Sequence, residues 1–155
     1  MSRGPILLSW LSMIAFDFFL HAGLLKNIYR QDDPFLLDPK TAFYYIPLGY
    51  LSFLLIAVLL YWLQTQLNIS EERESAIFGL KLGGLTWGAL ILGLFSIANA
   101  PTVLLIAWFF GQTIEIGIGA YVMGRSLEGD NKIKQHVGLF TVVMLVLGVI
   151  IQNLI

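Results

Sequence analysis

Asp17 and His21 lie four residues apart in LSMIAFDFFLHAG, a stretch otherwise made of apolar and small residues. On a helix this spacing puts a carboxylate and an imidazole on one face, one turn apart. Such a pair can exchange a proton, share a cation or present the imidazole to a pigment or haem. It can equally form a hydrogen bond that lets both groups stay buried. A second carboxylate, Glu115, stands in FFGQTIEIGIG with Gln112 three residues before it. No second histidine supports a bis-His haem, because His136 falls at the edge of an apolar run.

Other chemistry is excluded or unsupported. With no cysteine, the chain has no disulfides, thiolate nucleophiles, iron–sulfur clusters or Cys-ligated zinc. Asp32, Asp33 and Asp38 share a loop with two prolines, but their spacing lacks the glycine and closing Glu of an EF-hand, so no metal site is expected. That loop reads as polar, with an apolar Phe35-Leu36-Leu37 tip resting on the bundle or dipping among lipid headgroups. No phosphate-binding loop, zinc-protease helix or nucleophile elbow is present, so no residue is assigned a catalytic role and no cofactor is named. A formal net charge of −1 gives a nucleic-acid partner no electrostatic support.

The elements that must position Asp17 and Glu115 are read from hydropathy. The 155 residues are 57% hydrophobic and 12% charged, against roughly 45–50% and 25% in soluble domains. Uncharged or nearly uncharged apolar runs cover 6–25, 43–63, 76–98, 101–124 and 137–155. A crossing of the hydrocarbon core takes about 20 helical residues, so each run is long enough to span, and the alternation of a membrane barrel is missing. The spacing predicts an all-α integral membrane protein, one domain over 1–155, built as a bundle of five transmembrane helices with short loops. Asn99-Ala100-Pro101 divides the third helix from the fourth, with Pro101 suited to the first turn of the new one. The N-terminal run follows Arg3 as a signal peptide would, but Asp17 interrupts it, and it reads as a helix of the mature protein. Ser70 reads as the N-cap of the third helix, with Glu71 and Glu72 in its first turn.

Counting rise along the helices, Asp17 lies about 16 Å, Glu115 about 14 Å and Gln112 about 18 Å from the same membrane face. Asp17, His21, Gln112 and Glu115 therefore form a candidate buried polar layer, a possible ion or ligand site. Two carboxylates in a dry site cannot both ionise cheaply, so the layer is expected to share or hold a proton. Glu115 also lies in a stripe of small residues with Ala107, Gly111 and Gly119, and the third helix offers Gly79, Gly83, Gly84 and Gly88. Close packing of the third and fourth helices, with each other or with a partner, is expected through Gly83, Gly84, Gly88, Gly111 and Gly119.

Three functions from different classes fit these features. The leading one is a non-enzymatic subunit or assembly partner in a membrane complex, because short loops leave little other surface for recognition. The alternative is a proton- or small-solute-conducting transporter or channel using the carboxylates. The third is a binder of a lipophilic ligand held within the bundle. The expected partners are membrane lipids and either further copies of the chain or other membrane subunits.

A bacterial-type inner membrane is the expected location. Lys and Arg number six on the side of the N-terminus and three on the other, which places the N-terminus in the cytoplasm. In cysteine-accessibility labelling, a Cys replacing Asp33 should react from outside and one replacing Asp130 only from inside; the reverse pattern would invert the topology.

Overall fold

The computed structural model describes residues 3–29 and 35–154. Asp32 and Asp33 of the acidic loop lie outside the described residues. Helix α1, Arg3–Phe18, passes directly into a π-helical segment, Phe19–Leu24, followed by the single turn α2, Lys26–Tyr29. Four long helices complete the chain: α3 Pro39–Leu67, α4 Glu72–Ile97, α5 Thr102–Leu127 and α6 Ile133–Leu154. Taking α1 with its π segment, five helices are long and apolar enough to cross a membrane.

Most of these helices extend beyond the apolar runs because polar, capped ends continue them. Asp38 caps α3 by accepting from the Lys40 and Thr41 amides, with Pro39 at the first helical position. Bonding to Thr41 and Lys40 holds its carboxyl below the usual carboxylate range. The cap of α4 is Glu71 rather than Ser70: its carboxylate accepts from the Glu74 amide at 2.7 Å and the Arg73 amide at 3.1 Å. Two carboxylate oxygens can satisfy two of the free amides at once, which a serine hydroxyl cannot match. Pro101 does break the hairpin, but as the N-cap of α5 instead of its first-turn residue. Asn68 ends α3 in the left-handed region, at φ 55°.

Helix α5 is the centre of the bundle and touches each of the other four long helices, while α1 touches α3, α5 and α6. The close face of α4 is Gly79 and Gly83. A Cβ on Gly79 would stand 2.7 Å from the Ile116 carbonyl, and one on Gly83 would stand 3.0 Å from the Thr113 Cα. Gly84 and Gly88 lie beside this seam, with a Cβ meeting only a Thr113 methyl at 3.9 Å and the Phe109 ring at 3.5 Å. Gly111 and Gly119 turn to α1, where they admit Leu20 and Met13. The small residues of α5 thus serve two neighbours, and Gly117 joins the α4 side against Leu80.

Contacts Ser9–Gly119 and Leu20–Gly111 run in opposite senses along the two chains, so α1 and α5 are antiparallel. Ser9 donates to the Gly119 carbonyl at 2.8 Å, Gln64 of α3 donates to the Ala120 carbonyl at 3.1 Å, and Trp10 donates to the Tyr50 carbonyl at 2.7 Å. These bonds tie α1, α3 and α5 together around a core of Ile6, Met13, Ala57, Leu60, Ile116 and Met123.

Leu at position 79 would press on backbone, which cannot move aside as a side chain can. Gly79→Leu should destabilise the folded protein by about 1–3 kcal/mol. The comparison variant is Gly93→Leu, where a Cβ meets nothing within 4 Å. Gly129 is unsuitable as a reference, because its φ of +84° strains any L residue. Thermal unfolding in detergent measures the difference, and equal losses at the two positions would count against the α4–α5 seam.

Candidate functional site

The site begins where α1 leaves α-helical geometry. The π segment carries His21, and its wider turn closes with the Leu25 amide donating to the Leu20 carbonyl at 2.8 Å. Such turns are uncommon and frequently mark functional positions. The His21 Nε2 lies 3.3 Å from the Asp17 Oδ1, and the Gln112 amide nitrogen of α5 lies 3.3 Å from the same Nε2. The sequence-predicted trio of Asp17, His21 and Gln112 is therefore assembled across the α1–α5 contact.

The other ring nitrogen extends the network. His21 Nδ1 and the Tyr29 hydroxyl are 2.5 Å apart, and Trp108 of α5 donates its indole N–H to that hydroxyl at 2.6 Å. An indole can only donate, so the tyrosine oxygen accepts from Trp108 and keeps its own proton to give. The acceptor within reach is His21 Nδ1. In the neutral ring the remaining proton then sits on Nε2, which lies 3.3 Å from both the Asp17 Oδ1 and the Gln112 amide. The donors run in one direction, Trp108 to Tyr29 and Tyr29 to His21. With Nε2 protonated, the Gln112 amide must face it with oxygen, an orientation that the network sets.

Glu115 lies one turn further along α5 and is 1% exposed. Both its carboxylate oxygens are buried without a hydrogen bond of normal geometry among the described residues. It is within electrostatic reach of Asp17, which is 15% exposed. Both carboxylates thus belong to the α1–α5 region, Asp17 in the network and Glu115 behind it. Among the described residues no group of three or more His, Asp and Glu could hold a metal ion.

Two cavities adjoin the network. The larger, ≈ 630 Å³, is walled by the Phe35-Leu36-Leu37 tip, the start of α3 through Ala42, Phe43 and Ile46, and Gln152 near the end of α6. His21, Tyr29 and Trp108 supply polar groups at its edge, and Lys26 places its ammonium on the Gln152 carbonyl. The apolar tip rests on the bundle, with the Phe35 ring 6.2 Å from that of Trp108. The smaller cavity, ≈ 230 Å³, shares His21 and Trp108 with the larger and is bounded further by Asp17, Gln112, Phe53 and Trp87.

Sequence reasoning missed Tyr29 and Trp108. Tyr29 reads as an interfacial aromatic, and only the fold returns it to His21. Trp108 did leave a signal: with Gln112, Glu115 and Gly119 it falls at i, i+4, i+7 and i+11, one stripe of α5. At the other end of α5, Arg125 donates to Glu72 at 2.5 Å and also bonds Asp130. This clamp joins α4, α5 and the following turn, and hydrogen bonds from the Lys132 amide and from Arg125 hold the Asp130 carboxyl below its usual range.

Compared with known protein families, curated proteins and solved structures, the chain matches none.

Tyr29→Phe removes the donor to His21 and the acceptor of Trp108 together. It should destabilise the fold by about 1–3 kcal/mol and, in ¹⁵N NMR of neutral His21, replace a single Nε2-protonated tautomer with a mixture. An unchanged ring spectrum would show that Tyr29 does not set the tautomer.

Proposed function

We propose that the chain is a multi-pass membrane protein, N-terminus cytoplasmic, that binds a lipophilic small molecule carrying a polar end. The observation that carries this reading is the ≈ 630 Å³ cavity, walled by apolar side chains and edged by His21, Tyr29 and Trp108. Such a combination of apolar walls and a few convergent polar groups is the usual form of a small-molecule site, and the volume lies in the usual range. The membrane setting is supported by five span-length apolar helices and by the large apolar side chains left exposed on α3, α4 and α6. Those faces suit lipid as well as a partner subunit, so they do not favour the assembly-partner reading over this one.

A second reading, conduction of protons or a small solute, is favoured by one observation: Glu115 is buried beside the Asp17 network with neither oxygen in a hydrogen bond of normal geometry among the described residues. Flux into proteoliposomes should fall with Glu115→Gln if the layer conducts, and should be absent in both proteins if it only binds.

For the binding reading, radiolabelled dodecanol should bind saturably to the protein in nanodiscs, above its uptake by protein-free discs. Ala42→Phe, which places a ring in the cavity, should weaken that binding by about tenfold or more, a change of roughly 1.4 kcal/mol. Equal saturable binding by both proteins would place the ligand elsewhere.

A further inference from the structure

The smaller cavity has a composition that the binding reading alone does not account for. Phe53 of α3, Trp87 of α4 and Trp108 of α5 bring aromatic rings to it from three helices, and Asp17 of α1 adds a carboxylate. Aromatic faces carry negative charge density that attracts a cation, and indole is the strongest of them. At ≈ 230 Å³ the space far exceeds the about 30 Å³ of one water. It suits an organic head better than a bare metal ion, and the metal-ligand sets among the described residues are too small to hold one.

The charges around the pocket point the same way. Asp17 has His21 as its neighbour at 3.3 Å, and that ring accepts a hydrogen bond from the Tyr29 hydroxyl at Nδ1, the arrangement of a neutral imidazole that brings no positive charge. Behind Asp17 stands the buried Glu115, with Gln112 as its polar neighbour, and Tyr50 of α3 lies in the field of both carboxyl groups. Lys26, on the rim of the larger cavity, is committed to the Gln152 carbonyl. An anionic head would meet the Asp17 carboxyl, whereas a cationic head complements that group and the aromatic side chains that line the space.

We propose that the polar end of the ligand is an organic cation, an ammonium seated among Phe53, Trp87 and Trp108 against Asp17, with its apolar part in the ≈ 630 Å³ cavity across the shared His21 and Trp108 wall. This deepens the binding reading above and rests on it.

The test compares two probes with the same tail, dodecyltrimethylammonium and dodecanol, as competitors for saturable binding to the full chain in nanodiscs, with uptake by protein-free discs subtracted. The cation should bind about tenfold more tightly than the alcohol, a preference of roughly 1.4 kcal/mol. Asp17→Asn should bring the ratio of the two affinities close to one, and Trp87→Leu should reduce it. If Asp17→Asn does not fold, the ratio in Trp87→Leu decides. Equal affinities in the unsubstituted protein, or a preference that survives both changes, would overturn the cation proposal while leaving the binding reading in place. Saturable binding of neither probe would remove both.

Discussion

In an interior without water, a buried polar side chain needs a partner on its own helix or a neighbouring one, and in this chain the contact between α1 and α5 brings several such groups together. Asp17 and His21 on one helix meet Gln112 and Trp108 on the other. Leaving such groups unpaired costs several kcal/mol each in an apolar medium. The pairing therefore fixes register as well as proximity, because a slide of one turn would separate His21 from Gln112 and Leu20 from the gap at Gly111. The arrangement of the other helices follows from that register: α4 closes on the opposite side of α5 through Gly79 and Gly83, and α3 is tied in by Trp10 and Gln64.

The π-helical turn is part of the same constraint. Five residues instead of four separate Leu20 from its hydrogen-bond partner Leu25, so the chain gains space at His21 without losing a backbone bond. Just beyond it α2 brings Tyr29 back over the ring, where Trp108 anchors it. Gly23 and Gly148 lie back to back at this level, their backbones close enough that a Cβ on Gly23 would stand 3.4 Å from the Gly148 Cα. Helix α6 therefore approaches the widened turn, and its end supplies the Gln152 carbonyl that holds Lys26 at the cavity rim.

Much of this was legible from residue order. Hydropathy alone locates five helices, and residue counting along them puts Asp17, Gln112 and Glu115 at one level, because rise per residue is nearly invariant in a helix. Helix ends were less legible: polar residues such as Glu72 and Lys40 are helical without being apolar, so hydropathy stops short of them. Partner choice was not legible at all. A stripe of small residues says that something approaches closely, but Gly83 meets α5 whereas Gly111 and Gly119 admit α1. Tyr29 joins His21 only because the chain turns after α1, a tertiary event without a periodic signal.

Polar groups along the α1–α5 seam are used differently at its two ends. Toward the start of α1, Ser9 and Ser12 bond backbone carbonyls, as Gln64 does on α3, and the surrounding side chains are fully packed. A hydroxyl bonded to a fixed carbonyl has one answer and little freedom. Toward the π turn, the bonds run from side chain to side chain, through Trp108, Tyr29, His21 and Gln112, and two cavities open beside them. Side-chain networks can re-form around a guest, because each member has rotatable bonds and more than one possible partner. The seam is therefore structural where it is satisfied by backbone and adaptable where it is satisfied by itself. His21 stands at this second end, where it borders both cavities and lies 3.3 Å from the Asp17 carboxyl.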